Sequence, residues 1–363
     1  MKLAILGTRG VPANYGGFET MAEELGARLA ARGHQVTVYG RRGFIDPSLD
    51  SYRGMRLVVL PSIATKHLET VSNTLLASLH AMLARYDAVL LCNAANAPFI
   101  PVLRWTGIPV AINVDGLERK RRKWGAAGRA WYRLGEQLSA WLPNVLVTDA
   151  RVIQRYYRRF YTRPSVMIPY GGDLQPPTAA TTLERLGLSP DGYVLYVSRF
   201  EPENNPDRVL EAWSRVDTPR RLVMVGGAPY APDLVRRVHS LADERVLLPG
   251  PIYGEGYREL LFNSRIYVHA TEVGGTHPAL VEAMGAGRPV LYYDTPENRE
   301  VASGAGLGFR FSGPARLEKR LAVLLESPLE LAELSDASRR RVARRFRWSA
   351  VADAYEEVLQ SLC

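Results

Sequence analysis

The sequence has little cysteine and no long run of hydrophobic residues. Cys92 and Cys363 are its two cysteines among 363 residues, too few for a disulfide framework or a thiolate zinc site, and typical of a reducing compartment. Charges or prolines interrupt every apolar stretch before the roughly 18 residues that a spanning helix needs. The opening MKLAILGTRG is too short an apolar segment for a secretion signal and predicts a first strand. We therefore expect a cytoplasmic protein whose membrane contact is peripheral.

Two short motifs are also missing. No G-x-G-x-x-G occurs anywhere in the chain, which argues against a dinucleotide-binding turn of the usual kind. No Asp-x-Asp pair occurs either, so the sequence lacks that arrangement of carboxylates for a divalent metal. The chain is otherwise 47% hydrophobic, 23% charged and 9% aromatic. This composition excludes a disordered or fibrous protein and is sufficient for two hydrophobic cores.

Positive charge is concentrated in the first half of the chain. Up to Tyr170 there are 23 Lys and Arg against 11 Asp and Glu, whereas the remainder has 23 against 26. Residues 119–163 alone carry 12 basic and two acidic residues. Such asymmetry favours an anionic partner for the first half, either nucleic acid or a membrane surface, over a merely solvated basic face.

Short β-branched runs alternate with helical patterns throughout, which predicts successive βαβ units and an α/β fold with parallel sheets. A stretch rich in turn residues, Asp173 to Thr182, is typical of a linker between two doubly wound domains. We predict domains at 1–170 and 171–345 and a helical segment at 346–363 that packs back on the first domain. The predicted strands are Lys2–Leu6, Gln35–Tyr39, Arg56–Leu60, Ala88–Cys92, Pro109–Val114, Val145–Thr148, Tyr193–Val197, Leu222–Val225, Val246–Leu248, Ile266–His269, Val290–Tyr293 and Gly308–Phe311.

Glycine-rich turns follow strands in both predicted domains. Gly16 and Gly17 precede a helix in the first, where backbone amides and the helix dipole suit an anion, although a tight structural corner explains the turn equally well. In the second, Gly274, Gly275, Thr276 and His277 precede Pro278, which suits the first helical position. Because parallel sheets bind ligands at the carboxyl ends of their strands, we expect both turns to face one cleft.

Two charged side chains accompany the second turn. Arg199 follows the first strand of the second domain, and its planar fork suits two phosphate oxygens. Glu282 lies one helical turn beyond the glycine turn, where a carboxylate suits two ribose hydroxyls better than a phosphate. An ordinary surface arginine and an ordinary helix glutamate are the alternative interpretations.

Together these motifs resemble the retaining GT-B glycosyltransferases of family four. The resemblance covers nearly the whole chain, and its closest part is the bacterial rhamnosyltransferase branch that builds cell-surface polysaccharides. The residues that carry it are Gly16-Gly17-x-Glu19, Arg199 with Pro202-Glu203, Ile168 to Asp173, and Leu280 to Val290 with its Glu282-Ala283-Met284-Gly285 core; the narrower match is to Gly7 to Thr20, Glu203-Asn204-Asn205 and Gly274 to Pro278.

The resemblance implies a nucleotide diphosphate sugar as donor, a substrate and not a cofactor, held mainly by the second domain. Two residues depart from the family pattern: Gly274 occupies the position of the first glutamate of a conserved pair, with Glu272 two residues too early, and Asn204 replaces a phosphate-binding lysine. We therefore expect the amides of Gly275, Thr276 and His277 to contact the sugar and Arg199 to carry more of the diphosphate charge, with Arg9 as a second candidate for that charge. The base is expected near Ile252 and Tyr253.

The mechanism implied by the family retains the anomeric configuration. Negative charge on the departing diphosphate must be stabilised by a metal or by fixed donors, and the missing Asp-x-Asp favours fixed donors, so no metal is expected. Arg199 is predicted to act on the leaving group. In the first domain Asp115 and Asp149 follow strands, and Asp115 is preferred as the residue that orients the acceptor hydroxyl, since Gly116 follows it in a turn; capping a helix is the alternative role.

The acceptor is expected at a membrane, as a lipid-linked saccharide. The predicted acceptor or membrane residues are Arg119, Lys120, Arg121, Arg122, Lys123 and Trp124. Basic groups attract anionic headgroups and indole rings prefer the interface, whereas burial is the alternative for Trp131 and Trp141. The sequence thus predicts transfer of a sugar, with L-rhamnose from dTDP-L-rhamnose as first choice and UDP-hexoses open.

Three other functions are compatible with parts of the sequence. An NADP-dependent reductase would use Arg41 and Arg42 after the second strand, but it lacks the glycine fingerprint. A sugar-nucleotide epimerase on the same fold would need no lipid acceptor. A nucleic-acid-binding protein would use the basic half, yet no recognition module is present, so no nucleic-acid partner is expected.

Overall fold

The computed structural model describes residues 1–65, 68–178, 181–228 and 231–363. They form two compact units. Unit 1 comprises Met1–Tyr170 together with Trp348–Cys363, and unit 2 comprises Gly171–Arg347. The chain thus passes from unit 1 to unit 2 after Tyr170, where the sequence places a domain boundary, and it returns to unit 1 at Trp348, two residues beyond the predicted position.

Unit 1 is built on an eight-stranded sheet with the order β3-β4-β2-β1-β5-β6-β7-β8. Every neighbouring pair is parallel except β3 and β4. Its strands are β1 (Lys2–Leu6), β2 (Gln35–Arg41), β3 (Ser51–Tyr52), β4 (Met55–Leu60), β5 (Ala88–Cys92), β6 (Val110–Asn113), β7 (Val145–Thr148) and β8 (Val166–Met167). Its helices are α1 (Gly17–Ala31), α2 (Leu68–Ala84), α3 (Ile100–Arg104), α4 (Ala126–Trp141), α5 (Arg151–Tyr161) and α14 (Trp348–Gln360), with 3-10 turns at Ala94–Phe99 and Glu118–Lys120.

Two separate cores cover the two faces of this sheet. Successive strand side chains point to opposite faces, so Leu3 and Ile5 pack with α1 and α14, whereas Ala4 and Leu6 pack with α2, α3, α4 and α5. We call these the α1/α14 face and the α2–α5 face. The alternation holds although the strands read as continuous apolar runs, as expected for a sheet covered on both sides.

Unit 2 is a smaller doubly wound unit. Its six strands are all parallel in the order β11-β10-β9-β12-β13-β14. The strands are β9 (Tyr193–Val197), β10 (Arg221–Val225), β11 (Val246–Gly250), β12 (Ile266–His269), β13 (Val290–Tyr293) and β14 (Leu307–Phe309). The helices are α6 (Thr181–Leu186), α7 (Pro206–Trp213), α8 (Pro232–Leu241), α9 (Gly254–Asn263), α10 (Pro278–Gly285), α11 (Pro296–Ala302), α12 (Leu317–Leu325) and α13 (Pro328–Arg345), with a 3-10 turn at Pro202–Asn204.

The predicted strands all occur, and the differences lie at their ends. The last strand ends at Phe309 and not at Phe311, and β6 is one residue shorter at each end than predicted. The edge strands β3 and β8 were not predicted, because two residues carry no readable alternation.

The predicted linker ends earlier than expected. Thr181 and Thr182 begin α6, and residues 179 and 180 lie outside the described residues. The amides of Thr182 and Leu183 donate to the two carboxylate oxygens of Glu259, both at 2.8 Å. A carboxylate 77 residues away in sequence therefore caps this helix, so no local capping signal marks its start.

Candidate functional site

The predicted donor residues of unit 2 lie at the point where its strand order reverses. From β9 the chain moves to β10 on one side and later to β12 on the other side of β9. In open parallel sheets, the crevice between two such strands, at their carboxyl ends, is where ligands bind. The loop after β9 contains Arg199, and the loop after β12 contains Gly274 to His277.

Arg199 lies on a loop whose backbone is held by hydrogen bonds from neighbouring side chains. Its carbonyl oxygen accepts hydrogen bonds from Asn204 Nδ2 at 2.7 Å and from the Ser198 hydroxyl at 2.9 Å. The Tyr196 hydroxyl in turn donates to the Asn204 carbonyl at 2.7 Å. The guanidinium lies 3.4 Å from Glu201 Oε1, and about a third of the side chain, 32%, is exposed. The loop therefore presents a cation whose backbone is held rigidly.

Asn204, predicted in place of the family's phosphate-binding lysine, is buried and uses its amide NH₂ to hold the Arg199 carbonyl. Its observed contact is thus with the arginine loop. Direct binding of a donor by Asn204 stays a prediction.

Asn205 joins the two loops of the crevice. It lies in the left-handed region at φ +55° and is fully buried. Its Nδ2 donates to the Ala270 carbonyl at 2.9 Å and to Glu272 Oε1 at 3.0 Å, while the Glu272 amide donates to the Glu203 carbonyl at 2.9 Å. Glu272 therefore contributes a carboxylate to the join between the loops. All three residues of the Glu203-Asn204-Asn205 triplet thus hold the crevice loops in place, a role that the sequence alone does not reveal.

His277, the residue that caps α10, is oriented by a buried asparagine. Asn298 Nδ2 donates to the carbonyls of Thr271 and Tyr293, both at 2.9 Å, so Asn298 Oδ1 is left as the acceptor for His277 Nδ1 at 2.7 Å. This arrangement assigns a proton to Nδ1. A Cβ on Gly274 would collide with His277 Nε2, so glycine leaves the room that the imidazole needs in this orientation.

A second histidine lies beneath the first and was missed by sequence reasoning. The His269 ring, at the end of β12, is 4.8 Å from the His277 ring. Burial lowers the pKa of His269 well below its usual value, and the proximity of His277 acts in the same direction. His269 is therefore a neutral ring under His277, and a single histidine at the end of a buried strand carries no sequence signal for that role.

Glu282 is anchored by a tyrosine from α9. Its Oε2 accepts a hydrogen bond from the Tyr257 hydroxyl at 2.7 Å, and the glutamate is 6% exposed. Burial, followed by the charge of Glu282, raises the pKa of Tyr257, so the phenol stays a donor. Tyr253, predicted near the base, caps the same helix one turn earlier and is exposed, with Ile252 packed against the unit 2 core beside it. The α9 N-terminus thus connects the predicted base and ribose residues.

In unit 1 the loop that contains the first glycine turn is held by backbone hydrogen bonds and by an ion pair of Arg9. Gly16 caps α1 and Gly17 is its first residue, and the amide of Thr20 donates to the Gly16 carbonyl at 3.2 Å. Glu19 Oε1 accepts from the Arg9 amide at 2.8 Å. The Arg9 guanidinium pairs with Glu69 at 2.9 Å and lies 3.3 Å from the Tyr15 ring centre.

Arg41, which a reductase would use for a 2′-phosphate, is buried and shares the Glu69 carboxylate at 2.7 Å. Its charge is therefore neutralised within unit 1. This observation weighs against the reductase alternative.

Asp115 and Asp149 form one hydrogen-bonded pair at the carboxyl ends of the neighbouring strands β6 and β7. Asp115 adopts φ +55°, and its amide donates to Asn113 Oδ1 at 2.9 Å. Burial raises the pKa of Asp115, and the charge of Glu118 adds to the effect. A hydrogen bond between two carboxyl groups requires a proton on one of them. The two residues that sequence analysis weighed separately therefore lie together at one edge of the sheet.

The predicted basic run is partly used inside unit 1. Arg119 Nε donates to the buried Glu136 at 2.8 Å and its Nη2 to Tyr156 at 2.7 Å. Arg121 is buried and paired with Glu118. Lys120 and Arg122 are exposed.

The aromatic residues of this region divide in the same way. Trp124 packs on Tyr132 with 5.0 Å between ring centres and lies under Lys123, and Trp131 donates to the Ala95 carbonyl at 3.1 Å. Trp141 is exposed. Some residues of this region thus stabilise the interior of unit 1, while others are exposed on its surface.

Among the described residues, no group of three or more His, Cys, Asp or Glu side chains is arranged to hold a metal ion. No described helix combines the length and the hydrophobicity required to cross a bilayer.

The whole chain has the GT-B fold of two Rossmann-like α/β units, and solved structures with that fold superpose over nearly its full length. Sucrose-phosphate synthase from Thermosynechococcus elongatus matches with a TM-score of 0.83 and 20% identity, covering 99% of this chain and 98% of that one. Anabaena HepE, solved with UDP and glucose, matches with a TM-score of 0.79 and 16% identity, covering 99% and 100%.

Sequence comparison identifies the family. Residues 183–341 match the model of glycosyl transferases group 1, and residues 16–171 match the glycosyl transferase 4-like domain. The D-inositol 3-phosphate glycosyltransferase of Xylanimonas cellulosilytica is 26% identical, over 94% of this chain and 91% of the relative. The chain belongs to the group 1 glycosyltransferases and transfers a sugar from a nucleotide-sugar donor. Such enzymes generally act without a cofactor.

Proposed function

We propose that this protein is a retaining, metal-independent glycosyltransferase that moves L-rhamnose from dTDP-L-rhamnose to a lipid-linked saccharide in cell-surface polysaccharide synthesis. The observation that carries the donor part of this proposal is the crevice at the strand-order reversal of unit 2. There the Arg199 loop and the loop before α10 are joined by Asn205. This is the position in a parallel sheet where phosphate-bearing ligands bind.

The diphosphate is held by Arg199 and by amides of the loop before α10. A planar guanidinium binds two phosphate oxygens at once, and a positioned donor stabilises the charge that develops on the leaving group. The amides of Gly275, Thr276 and His277 contact the sugar. Glu282 accepts hydrogen bonds from the ribose hydroxyls, and Tyr257 fixes its orientation through the bond at 2.7 Å. Tyr253 and Ile252 flank the base.

Transfer breaks the bond between the anomeric carbon and the β-phosphate oxygen and forms a bond from that carbon to the acceptor oxygen. The proton of the acceptor hydroxyl passes to the leaving diphosphate, on the same face of the sugar, so that the configuration is retained. The Asp115 and Asp149 pair orients the acceptor hydroxyl. Its shared proton gives the pair both a donor and acceptors for that task.

The acceptor is a lipid-linked saccharide, so the enzyme works at an anionic membrane surface, and unit 1 supplies the contact. The support for this part is charge: residues 119–163 carry 12 basic residues and two acidic ones. Basic residues are attracted to anionic headgroups. Of the predicted contact residues, Lys120 and Arg122 have the exposure that this role needs.

The test combines the purified protein with a panel of sugar nucleotides and a bacterial membrane extract. Free nucleotide diphosphate is measured with and without extracted acceptor lipid. We expect release that depends on the lipid and is highest with dTDP-L-rhamnose. Faster release from a UDP-hexose would replace the rhamnose assignment, and isomerised donor without lipid would indicate an epimerase.

A chelator arm tests the absence of a metal. Activity is expected to persist in excess EDTA because fixed donors stabilise the leaving group. Loss of activity in EDTA with recovery on adding magnesium would contradict this part of the proposal.

A further inference from the structure

Exposed apolar side chains are concentrated on one side of unit 1. Among the described residues, 14 large apolar side chains are exposed, and 11 of these lie between residues 63 and 166. They are Ile63, Leu68, Leu75, Leu76, Leu79, Leu83, Trp105, Leu134, Trp141, Phe160 and Val166. All lie on or beside the elements that cover the α2–α5 face. Clusters of this kind mark interaction sites.

Helix α2 is inverted relative to an ordinary surface helix. Its exposed leucines follow a helical stripe, Leu68, Leu75, Leu76, Leu79 and Leu83. The side that faces the sheet carries the polar residues Asn73, Thr74 and Ser78 together with two alanines. A helix in water keeps its apolar stripe toward the core. The outer side of α2 is therefore suited to an apolar environment.

The outer side of α2 also lacks a carboxylate. The one acidic residue of the helix, Glu69, is buried and paired with Arg9 and Arg41. Among the described residues from 61 to 167, Asp87 is the one exposed acidic residue. This surface thus carries little negative charge.

Arginines are concentrated on the other helices that cover the same side of the sheet. Helices α2 to α5 carry seven arginines and two glutamates, and both glutamates, Glu69 and Glu136, are buried. Arg155, Arg158 and Arg159 are exposed along α5. Like charges one helical turn apart destabilise a helix, and an anionic partner would relieve that repulsion.

Three exposed aromatic side chains border the same surface. Trp105 follows α3, Trp141 ends α4, and Phe160 lies in the last turn of α5. These helix ends meet at residues 142–144: Arg104 donates to the Leu142 carbonyl at 2.8 Å, and Arg163 to the Pro143 carbonyl at 3.1 Å. Tryptophan beside arginine is the composition that interfacial helices present to headgroups.

We propose that the outer surface of the α2–α5 face docks on an anionic lipid bilayer, with the leucines of α2 among the acyl chains and the arginines of α4 and α5 on the headgroups. This inference rests on the proposed lipid-linked acceptor. It assigns the contact to a surface defined mainly by α2 and α5, beyond the basic run at residues 119–124. A second copy of the chain would bring the same arginines face to face, and a nucleic acid would leave the leucine stripe uncovered.

Vesicle flotation tests the proposal with matched variants. The leucine variant is Leu76→Gln/Leu79→Gln/Leu83→Gln, and its control, Val323→Gln/Leu329→Gln, changes exposed apolar residues of unit 2. The arginine variant is Arg155→Gln/Arg159→Gln, with Arg340→Gln/Arg344→Gln on exposed sites of α13 as its control. Vesicles contain phosphatidylcholine alone or mixed with phosphatidylglycerol.

The wild-type chain and both control variants are expected to float with the phosphatidylglycerol vesicles at low salt. The leucine variant should bind them about tenfold more weakly at every salt concentration. The arginine variant should lose affinity mainly at low salt, because screening already weakens the headgroup contact at high salt. Melting temperatures verify that each variant folds.

Binding of UDP and dTDP in lipid-free solution separates this inference from the proposed donor function. A wild-type chain that binds a nucleotide but no anionic vesicle overturns the docking surface and leaves the donor proposal intact. Vesicle binding without nucleotide binding does the reverse. Leucine and control variants that float equally well, or a wild-type dimer in solution that the leucine variant dissociates without any vesicle binding, would also overturn the docking surface.

Discussion

The carboxyl edges of the two sheets share a parallel topology but use their charged residues differently. In unit 1, Arg9 and Arg41 both pair with Glu69, and Asp115 pairs with Asp149. In unit 2, Arg199 is held through its carbonyl oxygen, while a third of its side chain is exposed. The Arg199 side chain also lies 3.4 Å from Glu201 but keeps about a third of its surface exposed, whereas the side chains of Arg9 and Arg41 are 12% and 4% exposed.

The difference indicates that the two sheet edges are suited to different ligand groups. The edge of unit 2 presents positive charge and amides, which suit a diphosphate. The edge of unit 1 presents a carboxyl pair that shares a proton, which suits a neutral hydroxyl. Substitutions of the charged residues in either unit can therefore test this comparison.

The largest expected effect is that of Arg199→Gln. It removes the charge that we propose to face the leaving group, so we expect kcat to fall by about 10² to 10³-fold, as for the loss of a positioned donor in other active sites. Steady-state kinetics with saturating donor measure the change. A kcat within a factor of three of wild type would remove Arg199 from the leaving-group role.

Arg9→Gln is the matched change in unit 1. Because Arg9 is nearly buried and paired with Glu69, we expect a loss of stability of about 1–3 kcal/mol, since Glu69 keeps Arg41 as a partner. Thermal unfolding followed by circular dichroism measures it. If Arg9→Gln lowered kcat as much as Arg199→Gln with an unchanged melting temperature, the contrast between the two edges would be wrong.

The next effect in size is that of Asp115→Asn. The amide keeps the shape of the side chain but cannot share a proton as the acid pair does, so we expect kcat to fall by about 10²-fold. The KM for the donor should change little, because the residues that we propose to bind the donor lie in unit 2. Full turnover by this variant would dismiss Asp115 as the residue that orients the acceptor.

Glu282→Gln is expected to act mainly on binding. The glutamine would lose the charge-assisted hydrogen bonds that we propose between Glu282 and the ribose hydroxyls, so the donor KM should rise by about tenfold with little change in kcat. The control is Tyr257→Phe, which removes the bond to Glu282 Oε2 and should give a smaller change in the same direction. A drop in kcat at unchanged KM would instead give Glu282 a part in the chemical step.

The sequence predicts the fold and the loops that follow its strands better than the contacts that the loop residues make. Strand alternation and glycine turns locate both loops of the unit 2 crevice, because these are local patterns. The contacts that shape the crevice are not local. Asn205 donates hydrogen bonds to Ala270 and Glu272, which lie 65 and 67 positions later in the sequence. Asn298 orients His277, which lies 21 positions earlier.

In particular, a count of charged residues shows which segment is basic, but it does not show which groups those side chains contact. The basic run at residues 119–124 reads as a surface, yet Arg121 is buried on Glu118 and Arg119 on Glu136. For the leucines of α2, helical periodicity defines a stripe but not the direction in which that stripe points. Only tertiary packing fixes that direction.

The smallest expected effect is on the pH dependence of stability. Burial raises the pKa of Asp115 in the folded chain, so the folded state binds this proton more tightly than the unfolded state does. Its contribution to stability is therefore complete below the ordinary aspartate pKa of about 4 and is lost as the pH rises through the raised value. Glu69 acts in the opposite sense, since Arg9 and Arg41 lower its pKa against the effect of burial.

The difference between wild type and Asp115→Asn isolates the Asp115 contribution from that of Glu69. Because the variant no longer titrates at this position, its free energy of unfolding should gain on that of wild type as the pH rises from 4 to 7, by about 1.4 kcal/mol for each unit of raised pKa. Scanning calorimetry at matched ionic strength measures the gain. A constant offset between the two profiles would mean that Asp115 titrates normally, and the shared proton of the unit 1 edge would then no longer distinguish it from the edge of unit 2.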